Sequence, residues 1–136
     1  MKRLPFIVLL AVCCLPLVSA QVSASYFDGM EAYRKSDYQT ALREFKAAGE
    51  DVKALYMIGI LHEKGEGTNI NYTEAAIWYR QAAEKGNPAA QYRLGRLYER
   101  GFGVEQNIEE AIKLYRKAAK QGQVDARQAL KRVEAK

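Results

Sequence analysis

The same thirty-three-residue pattern is written twice in this chain, thirty-six positions apart. Residues 54–86 and 90–122 align without a gap and share fifteen identities. The pairs include Tyr56 with Tyr92, Gly59 with Gly95, Leu61 with Leu97, Gly65 with Gly101, Gly67 with Gly103 and Asn71 with Asn107. They continue through Ala75 with Ala111, Tyr79 with Tyr115, Ala82-Ala83 with Ala118-Ala119, and Gly86 with Gly122. A period in the 20–50 range marks stacked supersecondary units, none of which buries its apolar face alone.

Each copy reads as two helices joined by a glycine turn. In the later copy Leu94, Leu97 and Tyr98 recur at helical spacing, and Ala111, Leu114, Tyr115 and Ala118 form the apolar stripe of the next helix. The second helix of each pair opens at Asn71 or Asn107, with Glu74 or Glu110 three residues on. Asn accepting a first-turn amide and Glu reaching back would form a capping box. Gly86 and Gly122 stand where a left-handed residue closes a helix. Gly65 and Gly101 end the first helix of each pair, Gly67 and Gly103 let the chain reverse, and Gly59 and Gly95 leave room for a neighbouring helix. A phosphate-binding loop is a poor reading of Gly-x-Gly here, because no strand precedes it and no Lys-Ser/Thr follows.

The run Ala-x-Tyr-x-Leu-Gly-x-Leu-Tyr-x-x-Gly-x-Gly-Val at 90–104, continuing as Glu-Ala-x-x-x-Tyr-x-x-Ala-Ala-x-x-Gly at 110–122, resembles the Sel-one-like repeat, a relative of the tetratricopeptide repeat. Residues 89–122 match best and 53–86 match well. The family usually has Asp at Asn71 and Asn107, Val at Thr68 and Tyr at His62. The resemblance implies an all-α, right-handed α-solenoid of antiparallel helix hairpins.

A shorter unit is read at 23–49 from Tyr26, Gly29, Tyr33, Asp37-Tyr38, Ala41, Phe45 and Ala48, with two residues missing from the glycine turn. Residues 123–136 place Ala126, Leu130 and Val133 on one face and basic residues elsewhere, the pattern of a C-terminal capping helix. The expected architecture is units at 23–49, 53–86 and 89–122 plus a cap at 123–136, all within one domain spanning 21–136.

Residues 1–20 read as a secretory signal peptide: Lys2 and Arg3, an apolar run, then Val18-Ser19-Ala20 before the cut. Export to the periplasm or the medium is expected, with lipid attachment at Cys13 or a retained signal anchor as lesser alternatives. Val12 argues against lipid attachment, where Gly, Ala or Ser is wanted. Cys13 and Cys14 are the only cysteines, so the exported product has no disulfide or thiolate site. Removing Lys2 and Arg3 takes the formal charge from +5 to +3. No dense basic run suggests nucleic acid, and no remaining apolar run could span a membrane.

Chemistry finds few residues to work with. His62 is the sole histidine, so a zinc site or catalytic triad has too few parts, and neither cofactor nor metal is expected. The reading is of a non-enzymatic adaptor that binds an unidentified protein or peptide segment. In tetratricopeptide arrays the first helix of each pair lines the concave face. Carried onto this chain, that register places Tyr26, Met30 and Tyr33, then Tyr56, Ile60, Glu63 and Lys64, then Tyr92, Arg96, Glu99 and Arg100 along a groove. Tyrosine and arginine suit peptide recognition. The tyrosines also belong to the repeat pattern, so packing is the competing explanation. The apolar Leu55, Met57 and Ile60 fit either a buried central helix or an apolar groove floor. An alternative function is envelope-surface attachment through a basic face to anionic polymer or lipid.

Overall fold

The computed structural model describes residues 15–136, with side chains from Ser25 onward. Residues 1–14, which include Cys13, Cys14 and most of the expected export segment, lie outside the described residues. Seven helices and no strand occur among the described residues: α1 (Leu15–Arg34), α2 (Tyr38–Ala47), α3 (Val52–Lys64), α4 (Tyr72–Glu84), α5 (Pro88–Arg100), α6 (Ile108–Lys120) and α7 (Val124–Glu134). Consecutive helices pack as hairpins α1/α2, α3/α4 and α5/α6, with α7 against α6, so the chain is an all-α solenoid.

Local chemistry starts most of these helices in the same way. The side-chain oxygens of Asp37, Asp51, Asn71, Asn87 and Asn107 each accept the amide three residues on, at 2.9–3.2 Å. Only half of the expected capping box forms. The Asn71 and Asn107 amides donate instead to the His62 and Tyr98 carbonyls, both at 2.9 Å, tying each turn to the helix before it. Glu74 is free to accept the Trp78 indole N–H at 3.3 Å, and Glu110 pairs with Lys113.

The glycine turns join units as well as helices. Gly65 and Gly101 take φ of 70° and 69°, and the amides that follow them close onto Leu61 and Leu97. A Cβ on Gly67 would lie 2.6 Å from the Tyr38 carbonyl, and one on Gly103 would lie 2.2 Å from the Tyr72 carbonyl carbon. Each turn therefore seats directly on the backbone that opens the second helix of the preceding hairpin. The first hairpin has no such turn. Its connection is residues 35–37, three residues, against the seven of 65–71, so four residues are missing rather than the expected two.

One large ring fills the middle of each hairpin. Phe45, Tyr79 and Tyr115 are fully buried and face Gly29, Gly59 and Gly95, where an added Cβ would come within 2.5–2.7 Å of ring carbons. Of the apolar residues of α3, Leu55 and Ile60 are buried and Met57 is partly buried against the core of the first hairpin, which favours the central-helix reading of that stretch. At the C-terminal end Ala126 and Ala129, with partly buried Leu130 and Val133, close over Ala111, Tyr115 and Ala118.

Candidate functional site

A buried phenol must find a partner for its hydroxyl. Tyr79 donates to Glu63 in a short contact, and Tyr115 donates to Glu99 at 2.6 Å. In both cases the carboxylate comes from the first helix of the same hairpin, on the turn below the facing glycine. Burial and the adjacent carboxylate both push these phenols well above the usual tyrosine range. Each carboxylate then takes a guanidinium from the next odd-numbered helix: Arg93 reaches Glu63 at 3.2 Å and Arg132 reaches Glu99 at 2.8 Å. Burial is the largest single influence on Arg93 and works against its charge, but Glu63, Tyr79 and Tyr56 together outweigh it and its pKa is raised.

The first hairpin solves the same problem differently. Phe45 has no hydroxyl, and Tyr33 occupies the place of the carboxylate. The Tyr33 hydroxyl donates to Glu66 at 3.2 Å and accepts from Lys64 at 3.4 Å, and this contact raises the Lys64 pKa. A polar ladder thus runs α1–α3–α5–α7 along one side of the stack. Glu63, Lys64, Glu99 and Tyr33 are rungs of it.

The other predicted residues fall into separate places. Tyr26, Tyr56 and Tyr92 stack on Phe45, Tyr79 and Tyr115 at centroid distances of 6.0, 5.9 and 5.9 Å, leaving each ring only partly exposed. Met30 packs on the first hairpin's core. Ile60 is 5% exposed and belongs to the central core, so it offers no surface to a partner. Its placement on the groove wall is corrected by the close approach of α4 and α5. Tyr92, Arg96, Glu99 and Arg100, by contrast, converge. They form one wall of a cleft of about 450 Å³, whose other wall is Asp125, Gln128, Ala129 and Arg132 of α7. Arg96 lies over the Tyr92 ring and Arg100 over the Phe102 ring, each with 5.9 Å from guanidinium carbon to centroid.

The α7 wall was missed in the sequence because α7 carries no repeat consensus. Glu99 repeats Glu63, but the pairing of that carboxylate with the following odd-numbered helix appears only in the fold, and the repeat register of Arg93 falls on Ala129 rather than on Arg132. His62 is buried, and both ring nitrogens are without hydrogen-bond partners. Burial lowers its pKa, with Glu74 opposing and Lys46 reinforcing the shift. It therefore packs as a neutral ring. No cluster of potential metal ligands occurs among the described residues, and no described helix is long and apolar enough to cross a membrane.

The fold and this ladder define a short solenoid of two-helix units keyed together by glycine turns. The Sel1 repeat family model matches residues 52–87 and 88–123, and the chain belongs to that family. Among solved structures it is similar to a Sel1 repeat protein from Oxalobacter formigenes, with 37% identity and a TM-score of 0.75 over 77% of this chain and 44% of that one. It is also similar to c5321, a protective antigen of uropathogenic Escherichia coli displaying an SLR fold, with 32% identity and a TM-score of 0.74 over 87% of this chain and 28% of that one. Helicobacter pylori cysteine rich protein B shares the fold at 22% identity, with a TM-score of 0.68 over 83% of this chain and 91% of that one. The chain thus spans less than half the length of the first two relatives. A comparison with curated protein sequences gave no match. The Sel1 repeat fold is in general a scaffold for protein–protein interaction, and its proteins are typically non-enzymatic.

Proposed function

We propose that this protein is an exported adaptor that binds a segment of another protein on the side formed by its odd-numbered helices. The observation that carries this reading is the cleft between α5 and α7. There an aromatic ring, Tyr92, and the guanidinium groups of Arg96 and Arg100 remain accessible in one concavity, beside Glu99, whose carboxylate is held by Tyr115 and Arg132. About 450 Å³ lies within the ~300–1,000 Å³ range of sites that take drug-sized ligands, so it has room for a short stretch of chain and not for a folded domain.

Export is supported by the sequence of residues 1–20 and is tested by N-terminal sequencing of the mature protein, which should begin at Gln21. Binding is tested by capture from the native envelope fraction, identification of the partner, and titration with purified partner. Tyr56→Ala and Arg96→Ala variants that keep wild-type circular dichroism should lose most of the affinity. Equal binding by both would overturn the assignment of the odd-helix side. Steep loss of binding with salt, together with indifference to both substitutions, would favour attachment to anionic polymer or lipid.

A further inference from the structure

Three guanidinium groups line the α5/α7 cleft, and only one is engaged. Arg132 is held by Glu99, which also accepts the Tyr115 hydroxyl. Arg96 and Arg100 form no ion pair with any described residue. Each instead lies over an aromatic ring, which limits its rotamers while leaving its N–H donors unused. With Glu99 and Asp125 counted, the cleft carries three positive and two negative groups. The cleft is thus net positive by one charge, and its two unpaired guanidinium groups both sit on the α5 wall, on residues four apart in a helix.

That spacing selects a ligand. Residues four apart on a helix have Cβ atoms about 5–6 Å from one another and so serve the same wall. In an extended peptide, alternate residues share a face and are separated by about 6.6 Å, twice the strand rise. Adjacent residues point to opposite faces and cannot serve the same wall. We propose that the cleft binds an extended acidic segment of the form Glu-x-Glu or Asp-x-Asp, one carboxylate on Arg96 and the other on Arg100. Asp125 and Gln128 on the α7 wall then meet the main-chain amides of the segment, and Asp125 excludes acidic residues from that side. This names the partner chemistry of the binding site proposed above and rests on that reading.

Fluorescence anisotropy of blocked, fluorescein-labelled Gly-Ser-Glu-Ser-Glu-Ser-Gly with the purified protein tests it. Binding should exceed that of Gly-Ser-Glu-Glu-Ser-Ser-Gly and of the glutamine analogue. Arg96→Gln and Arg100→Gln should each weaken it by about fivefold, the size of a partly exposed ion pair. Equal affinity for the two glutamate spacings, or for the glutamine analogue, overturns the proposal. So does binding that appears only when the terminal carboxylate is left free, which would assign the site to a chain end. If the captured native partner is lost with Tyr56→Ala but retained by the folded Arg96→Gln/Arg100→Gln double variant, the adaptor reading stands and the acidic-segment proposal falls.

Discussion

Gly59→Ala should destabilise the protein even though it replaces the poorer helix former in the middle of α3. Alanine is favoured over glycine in a helix interior by about 1 kcal/mol. Against this, the new Cβ would sit 2.5 Å from the Tyr79 Cδ1 and Cε1 atoms, whereas carbon–carbon contacts are most favourable near ~3.5–4.0 Å. The ring cannot yield freely: it is fully buried, its hydroxyl is fixed by Glu63, and the Tyr56 ring lies 5.9 Å away. Overpacking of this kind costs about 1–3 kcal/mol, and a rigid ring at 2.5 Å belongs to the upper half of that range. The net loss is about 1–2 kcal/mol, a fall in Tm of roughly 5–10 °C for a domain of this size. Thermal unfolding followed at 222 nm measures it. In a Tyr79→Leu background the same substitution should be neutral to stabilising, by up to about 1 kcal/mol, since the ring atoms are gone and the helix preference of alanine remains. A higher Tm for Gly59→Ala in the wild-type background would refute the claim that α3 and α4 are held together by ring-on-glycine contact.

Three further outcomes follow from contacts described above. Glu63→Leu should cost about 2–3 kcal/mol in urea unfolding, because it strands the Tyr79 hydroxyl and Arg93, whereas Tyr79→Phe should cost about 1 kcal/mol; equal costs would contradict the ladder. His62 has a folded-state pKa below its ordinary 6.5, so the unfolded chain binds the proton more readily. The stability difference between wild type and His62→Phe should therefore be constant above that value and move against wild type as pH falls through and below it, and a flat difference in paired melts would show the ring is not buried neutral. Gln123 begins α7 without a side-chain cap, so Gln123→Asp should raise stability by about 0.5–1 kcal/mol, and no gain in urea midpoint would place the α7 start elsewhere.

Much of the architecture was legible because the repeat copies its own packing. The glycine facing each ring and the cap opening each second helix recur at a fixed offset, so two aligned copies display them together. The first hairpin was harder to read. Aligning its second helix gives an offset of thirty-four, Phe45 to Tyr79, but its first helix is offset by thirty, Gly29 to Gly59; the difference of four is the shortened turn. The carboxylate–phenol pairs were invisible for another reason. Glu63 and Tyr79 are sixteen apart in sequence and meet only because the hairpin folds back, and the substitution of Phe45 for the tyrosine is matched by Tyr33 for the glutamate. In the cleft, one wall followed the repeat register and the other came from α7, where that register has lapsed. Ile60 was misplaced because a helical face identifies neighbours along one helix, while its burial depends on how closely the next two helices approach.

The seating of Gly67 on the Tyr38 carbonyl and of Gly103 on the Tyr72 carbonyl is a joint between main chains, indifferent to the side chain beneath it. Ile108 opens α6 with the same geometry that Tyr72 gives α4, including an asparagine cap of nearly identical dihedral angles. The stack is thus modular in the literal sense. Another thirty-six-residue block spliced between Gly122 and Gln123 would find its socket already cut, and the length of the array can change without redesign of the pieces that remain.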